Sequence, residues 1–346
     1  MTSELAVKVD RVREVLLARD LSAVILTSKE SLAWLLGGAR VTVPTNGDPV
    51  LSARVTEHEL TLYVYANEVD RLREEELYPL GELDIRSHPW HEPLPGVAPM
   101  EGAAPEASIA AELRAARAGL LPVELERYRT LGHDVAAAVT AVASELRPTD
   151  SERHAAAALA HAIVETGAEP IVLLAAGRER LQLRHPLPTN GHLGSRAMLV
   201  VGARRNGLIA NLTRFVGDAA DGDSDERLLA VEADAFAATR VGRKLSKVLA
   251  DIAASYPAHG FDDDEWLRHH QGGPTGYAGR DPRATPAASD RVVDGQAFAW
   301  NPSAPGTKVE DTVLVAAGEI EVLTVDPAWP TADVGGIRRP IARAYS

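Results

Sequence analysis

The sequence predicts an α/β protein with a smaller domain at residues 1–118 and a larger one at residues 119–346. Three observations lead to this prediction. A chain of 346 residues fits two domains better than one. Strand-like and helix-like segments alternate in the first part of the chain. A stretch rich in Pro, Gly and Ala, residues 89–105, then marks a linker or a meandering edge ahead of the second domain.

In the first domain, the alternation of helices and strands is predicted from the spacing of apolar residues. Residues 5–19 have helical spacing, and residues 21–27 form an apolar run typical of a buried strand. A short helix at 31–37 should end at the Gly37-Gly38 pair. A strand at 61–65 and a charged helix at 69–76 follow. This order predicts a small α/β domain.

The second domain should begin with two helices. Pro122 suits a first helical position, ahead of an amphipathic run to Leu146. The segment Thr149-Asp-Ser-Glu152 is a capping-box pattern that precedes an Ala-rich helix ending at Gly167. The remaining predicted elements are strands at 170–175, 197–202 and 207–215, one long helix at 223–254, and two closing strands at 295–301 and 308–315.

Composition excludes several classes of function. The chain has no cysteine, so disulfides, thiolate catalysis and zinc–thiolate sites are excluded. A formal net charge of −13 argues against nucleic acid or an anionic membrane as partner, because both favour a basic surface. The sequence has neither a signal-peptide pattern nor an apolar run of the roughly 20 residues that a membrane span needs. We therefore expect a cytoplasmic protein.

Two parts of the second domain carry a family resemblance. The strand pair at 199–215 contains Asn211-Leu-Thr-Arg214, and the closing strands contain Asn301-Pro302 and Glu310-Asp311. With the order of the other elements, these segments resemble the creatinase/aminopeptidase P/prolidase superfamily. The resemblance implies a C-terminal pita-bread domain preceded by a smaller creatinase-type α/β domain. It also implies a homodimer.

The resemblance implies an altered metal site. Metal-dependent members hold two divalent ions with two Asp, one His and two Glu. The matching positions here are Val200, Asn211, Asn301, Glu310 and a histidine of the glycine-rich loop, where spacing to Gly272 favours His269 over His270. Two divalent ions beside one carboxylate would leave a large uncompensated charge in low dielectric. The sequence therefore predicts no metal ligand set and no cofactor.

Other matches resemble creatinase, which cleaves a C–N bond without metal. The stretch 168–186 resembles the creatinase segment with the catalytic histidine, so His185 is the candidate general acid/base. Glu310 and His269 are candidates to assist it. The resemblance makes Arg280 an anion clamp for a substrate carboxylate. The further substrate-binding candidates are Asn211, Asn301, Tyr277, His270 and Arg214.

Alternatives remain for the principal residues and for the function. His185 could cap the loop before Pro186, and Arg280 could be a surface residue paired with Asp281 or Asp311. The resemblance predicts a metal-independent hydrolase or lyase that acts on a small amide or amidine bearing a carboxylate. The second hypothesis is a non-catalytic pseudopeptidase that binds a peptide or metabolite. The third is an Xaa-Pro aminopeptidase or prolidase with an atypical metal site.

Overall fold

The computed structural model describes residues 3–346, and the chain divides into two compact units. One unit comprises Met1–Val123 with Asn206–Leu208, and the other comprises Glu124–Arg205 with Ile209–Ser346. The mixed α/β fold class predicted from the sequence is confirmed. None of the helices in the described part of the chain has the length and apolar character that a membrane span needs.

The first unit contains a five-stranded sheet in the order β4-β3-β2-β1-β5. The four residues of β1 are buried, and α1 buries its apolar face at positions with helical spacing, among them Leu5, Val9 and Val12. The elements are α1 Ser3–Ala18, β1 Ala23–Leu26, α2 Lys29–Leu35, β2 Leu51–Thr56, β3 Leu60–Tyr65, α3 Val69–Arg71, β4 Asp84–His88, β5 Ala104–Pro105 and α4 Ala110–Ala118. Four of these elements, β2, β4, β5 and α4, were not predicted from the sequence.

The second unit is built around a seven-stranded sheet in the order β6-β7-β8-β13-β10-β9, with β14 also paired to β13. Its elements are α5 Pro122–Glu145, α6 Glu152–Glu165, β6 Glu169–Gly177, β7 Arg196–Arg205, β8 Leu208–Gly217, α7 Ser224–Ala238, α8 Leu245–Ala258, β9 Gly272–Thr275, β10 Gln296–Trp300, β11 Ser303–Ala304, β12 Thr307–Lys308, β13 Glu310–Ala316, β14 Glu319–Val322, β15 Thr331–Val334 and β16 Ile337–Pro340.

Three expectations for this unit need correction. The predicted helix 223–254 is two helices, α7 and α8, because the chain turns between them through Gly242 at a φ of +85°. The N-cap of α6 is Ser151 rather than Thr149, and its side chain accepts a hydrogen bond from the backbone N–H of His154. The chain does not close on β13, since β14 and a β15–β16 hairpin follow it.

One face of the sheet packs on α7 and α8. Leu228 and Phe236 of α7 and Leu249 of α8 belong to one buried cluster with Phe298 and Trp300 of β10. Val313 and Val315 of β13 belong to the same cluster. Because side chains alternate along a strand, Glu310 and Thr312 of β13 lie on the opposite face. This opposite face carries the candidate site.

Candidate active site

A cavity of about 350 Å³ brings most of the predicted site residues together. One wall is apolar and comes from β6 and β7, and the other sides are polar. The lining residues are Ile171, Val172, Leu174, His185, Val200, Val201, Gly202, Asn211, His270, Gly279, Arg280, Arg283, Asn301, Lys308 and Glu310.

Pairing of β8 with β13 sets the position of Glu310. Glu310 lies opposite Thr213 in the antiparallel register, and Thr213 Oγ1 donates to Glu310 Oε2 at 3.3 Å. Asn211 lies two residues before Thr213 and therefore on the same face of the sheet. Its backbone N–H donates to Thr312 Oγ1 at 2.7 Å, which ties the two strands together beside the cavity.

Glu310 is held between two basic side chains. Its Oε1 accepts a hydrogen bond from Arg280 at 2.6 Å, and its Oε2 lies 3.1 Å from Lys308 Nζ. Burial by itself would raise the pKa of Glu310, but Lys308 and Arg280 lower it to about 2. The carboxylate therefore stays ionised at neutral pH and is a poor proton acceptor.

Three histidines meet at the polar side of the cavity. His185 follows β6 on an exposed loop, and its Nε2 lies 3.0 Å from Nε2 of the buried His269. The rings of His269 and His270 stack with centroids 4.5 Å apart. One nitrogen from each of the three rings falls within 4.8 Å of the others.

All three imidazoles have depressed pKa values. Burial, followed by the charge of Lys308, lowers the pKa of His269 to about 2 and also lowers the pKa of His185. Burial, followed by the charge of Arg280, lowers the pKa of His270 to about 4. All three rings are therefore neutral at neutral pH, but pKa values of about 2 and about 4 make His269 and His270 poor proton acceptors, which leaves His185 as the candidate base. Within the hydrogen-bonded pair of His185 and His269, one ring must donate to the other.

Several buried polar atoms around the cavity have no hydrogen-bond partner among residues 3–346. They are His269 Nδ1, His270 Nδ1, Arg280 Nε and Asn301 Oδ1. Unsatisfied buried polar atoms are costly, and their concentration at one cavity is typical of a binding site. A polar ligand with both donors and acceptors would satisfy them.

Two predicted substrate-binding residues lie outside the cavity lining. Arg214 is adjacent to Thr213 in β8 and so faces the opposite side of the sheet, where it donates to Asp311 at 2.8 Å and to the carbonyl of Thr324. Tyr277 is buried, and its hydroxyl donates to Glu124 at 2.6 Å. Neither residue lines this cavity, so neither is placed to contact a ligand bound in it.

The structure also adds two residues that the sequence analysis missed. Lys308 is buried against Glu310, and Arg283 lines the cavity beyond Arg280. Lys308 precedes Glu310 by two residues in an extended segment, so the two-residue period of strands could have indicated it. No sequence pattern singles out Arg283. Arg280 itself is mostly buried, and it pairs with the carboxylate of Glu310.

Comparisons with known proteins agree with this architecture. The model of Peptidase_M24, described as metallopeptidase family M24, matches residues 126–317. No curated protein matches the sequence.

Three solved structures illustrate the structural similarity. A prolidase from Pyrococcus horikoshii has 17% identity and a TM-score of 0.74, over 92% of this chain and 98% of that one. A dipeptidase PepE from Mycobacterium ulcerans has 16% identity and a TM-score of 0.75, over 99% of this chain and 98% of that one. The N-terminal domain of the FACT complex subunit SPT16 from Cicer arietinum has 13% identity and a TM-score of 0.64, over 93% of this chain and 96% of that one. At these identities the similarity concerns the fold.

Proposed function

The chain belongs to metallopeptidase family M24, and from this membership we propose that it is a metal-independent member that hydrolyses a C–N bond in a small amide bearing a carboxylate. The observation that carries this proposal is the pairing of Glu310 with Lys308 and Arg280, next to His185 in one cavity. Lys308 and Arg280 neutralise the charge of Glu310, which divalent ions would need as an anionic ligand.

The donor set does not fit the two metal ions that the family name implies. Both oxygens of Glu310 contact basic side chains, and Val200 has no donor atom. Asn211 Nδ2 is directed at Thr275 Oγ1, at 3.5 Å. Divalent ions in such sites require anionic oxygen, so no step of the proposed reaction depends on a metal.

Charge in the cavity narrows the substrate class. Arg280, Arg283 and Lys308 contribute three positive charges and Glu310 contributes one negative charge, which gives a net charge of +2 while the imidazoles are neutral. This charge disfavours a cationic amidine. It favours a neutral amide that carries a carboxylate, because the carboxylate reduces the local excess of positive charge.

His185 is the proposed acid/base. As a neutral base it takes a proton from water, and the water oxygen forms a bond to the carbonyl carbon of the amide. His185 then returns the proton to the leaving nitrogen as the C–N bond breaks, which yields a carboxylic acid and an amine. His269, held neutral by burial, accepts or donates the hydrogen bond that orients the His185 ring.

A non-catalytic binding protein is the second candidate. The observation that favours it is that both oxygens of Glu310 contact basic side chains and that its pKa is lowered to about 2, so this carboxylate is a poor general base. One of the structures with a similar fold is the N-terminal domain of a FACT complex subunit. The fold is therefore compatible with binding alone.

The test is hydrolysis of N-acyl amino acids and Xaa-Pro dipeptides by metal-stripped protein, with and without added Mn²⁺, Co²⁺ or Zn²⁺. We expect turnover of an N-acyl amino acid without metal, and a loss of about 100-fold or more in kcat for His185→Gln. The matched control is His161→Gln, because His161 is exposed on α6 and outside the cavity lining.

Three results would count against hydrolysis of this kind. Ligand binding without turnover would favour the binding protein. Turnover that survives His185→Gln would exclude the proposed acid/base. Activity on Xaa-Pro dipeptides that requires a metal bound by the purified protein would favour a metallopeptidase, with the three-histidine cluster as the place to look for an ion.

A further inference from the structure

Arg283 differs from the other cations of the cavity in having no partner. Its guanidinium makes no hydrogen bond or ion pair with any residue in the described range 3–346, and its side chain is exposed where it lines the cavity. Arg280 and Lys308, in contrast, are both mostly buried and both contact Glu310. Arg283 is thus the cation that can offer a bidentate contact to an incoming anion without breaking an existing contact.

A bidentate contact from Arg280 to a ligand carboxylate would be unfavourable, because only its Nε lacks a partner, while Nη1 donates to the carbonyl of Gly279 and Nη2 donates to Glu310. Arg280 donates to Glu310 at 2.6 Å, and the side chain of Glu310 is 5% exposed. Withdrawal of Arg280 would leave this buried carboxylate with Lys308 alone, and removal of a partner from a buried ion pair is strongly destabilising. A bidentate contact from Arg283 to a carboxylate carries no such cost.

We propose that Arg283 binds the carboxylate of the ligand and that Arg280 instead holds Glu310 in place. This inference rests on the proposed function in one respect, because it takes the same cavity as the substrate site. The carboxylate then lies at the exposed side of the cavity. The amide faces His185 and Asn301, and the acyl group lies against the apolar wall that includes Val172 and Val200. The ligand class is that of N-acyl amino acids.

The electrostatic effect of Arg283 on two histidines agrees with a role for Arg283 in binding the ligand carboxylate. After burial and other charges, the positive charge of Arg283 contributes to the depressed pKa values of His185 and His270. A charge that acts on both imidazoles lies close to the groups that would face the amide. A ligand carboxylate paired with Arg283 would offset this effect, so ligand binding should raise the pKa of His185.

The experiment measures binding rather than turnover, with N-acetylglycine and its uncharged amide, N-acetylglycinamide, as a matched pair of probes in calorimetry. Wild-type protein should prefer the anion. Arg283→Gln should weaken binding of N-acetylglycine roughly 10- to 100-fold, since a charge-assisted contact is lost. Binding of N-acetylglycinamide should be unchanged. Arg283→Lys should retain part of the preference.

Arg240→Gln is the matched control, because Arg240 is exposed, its side chain donates to the backbone carbonyl of Ala237, and it lies outside the cavity lining. It should bind both probes as wild type does. The proposal is wrong if wild-type protein shows no preference for the anion, or if Arg283→Gln keeps that preference. Anion preference without hydrolysis would support the role of Arg283 and reject the proposed reaction. The role of Arg283 and the proposed reaction can therefore fail separately.

Discussion

At the scale of single residues, Lys308 has the contact that most distinguishes this cavity. It lies two positions before Glu310, and the extended backbone directs both side chains to the same cavity. Their side chains are each 5% exposed, and Lys308 Nζ lies 3.1 Å from the carboxylate. An ion pair buried to this degree is expensive to break, because the remaining charge loses both water and its partner.

Lys308→Met should therefore lower the free energy of unfolding by roughly 2–4 kcal/mol, with Arg280 still partly compensating Glu310. Urea denaturation followed by circular dichroism measures the change. Lys247→Met, an identical substitution at an exposed position of α8, should change stability little. Equal stability of both variants would show that the Lys308–Glu310 pair contributes nothing.

At the scale of elements, the loop that carries His185 is tied to the start of α6 by one buried carboxylate. Glu152 accepts hydrogen bonds from the backbone N–H groups of Gly177 at 2.9 Å and of Thr189 at 2.8 Å. It also pairs with Arg180 within the loop. Both ends of the segment between β6 and residue 189 thus contact one side chain, which anchors the loop that carries His185.

Glu152→Ala should loosen this loop and lower stability by roughly 2–4 kcal/mol, because it leaves the buried N–H of Gly177 and the partly buried N–H of Thr189 without acceptors. Amide hydrogen exchange at residues 178–189 should become faster. Glu179→Ala, at an exposed position of the same loop, should leave exchange unchanged. Slow exchange preserved in Glu152→Ala would contradict the anchoring role.

At the scale of the whole molecule, the buried histidines make global stability depend on pH. Burial lowers the pKa of His269 to about 2, well below the value near 6.5 that a histidine has in the unfolded chain. Between these two values the unfolded chain binds a proton that the folded protein does not bind. The contribution of His269 to the free energy of unfolding is therefore fully present above about pH 6.5 and is lost progressively as the pH decreases.

Lowering the pH from 7 to 5 should reduce the free energy of unfolding by about 2 kcal/mol through His269 alone. His269→Asn should remove that share of the pH dependence, which denaturant titrations at several pH values can measure. The exposed His161 provides the control, since His161→Asn should leave the slope with pH unchanged. A wild-type stability that rises between pH 7 and 5 by this amount would indicate that His269 is protonated when folded.

Much of the architecture was predictable because it depends on local patterns. Buried strands such as β1 and β8 have apolar runs, and α5 and α6 begin at recognisable signals near Pro122 and Ser151. Short or partly exposed strands such as β4 and β15 have no such pattern. The break between α7 and α8 was missed, because a single glycine is compatible with a helix unless the packing requires a turn.

The sequence by itself determined the superfamily, the α/β class and the neutral residues at Val200, Asn211 and Asn301. Only the tertiary structure decided which charges meet. It brought His185 to His269, 84 positions away, and it left Arg283 without a partner in residues 3–346. The identity of a side chain is local, whereas its partner depends on strand register and on loops from distant parts of the chain. The chemistry of this cavity therefore follows from packing rather than from any single motif.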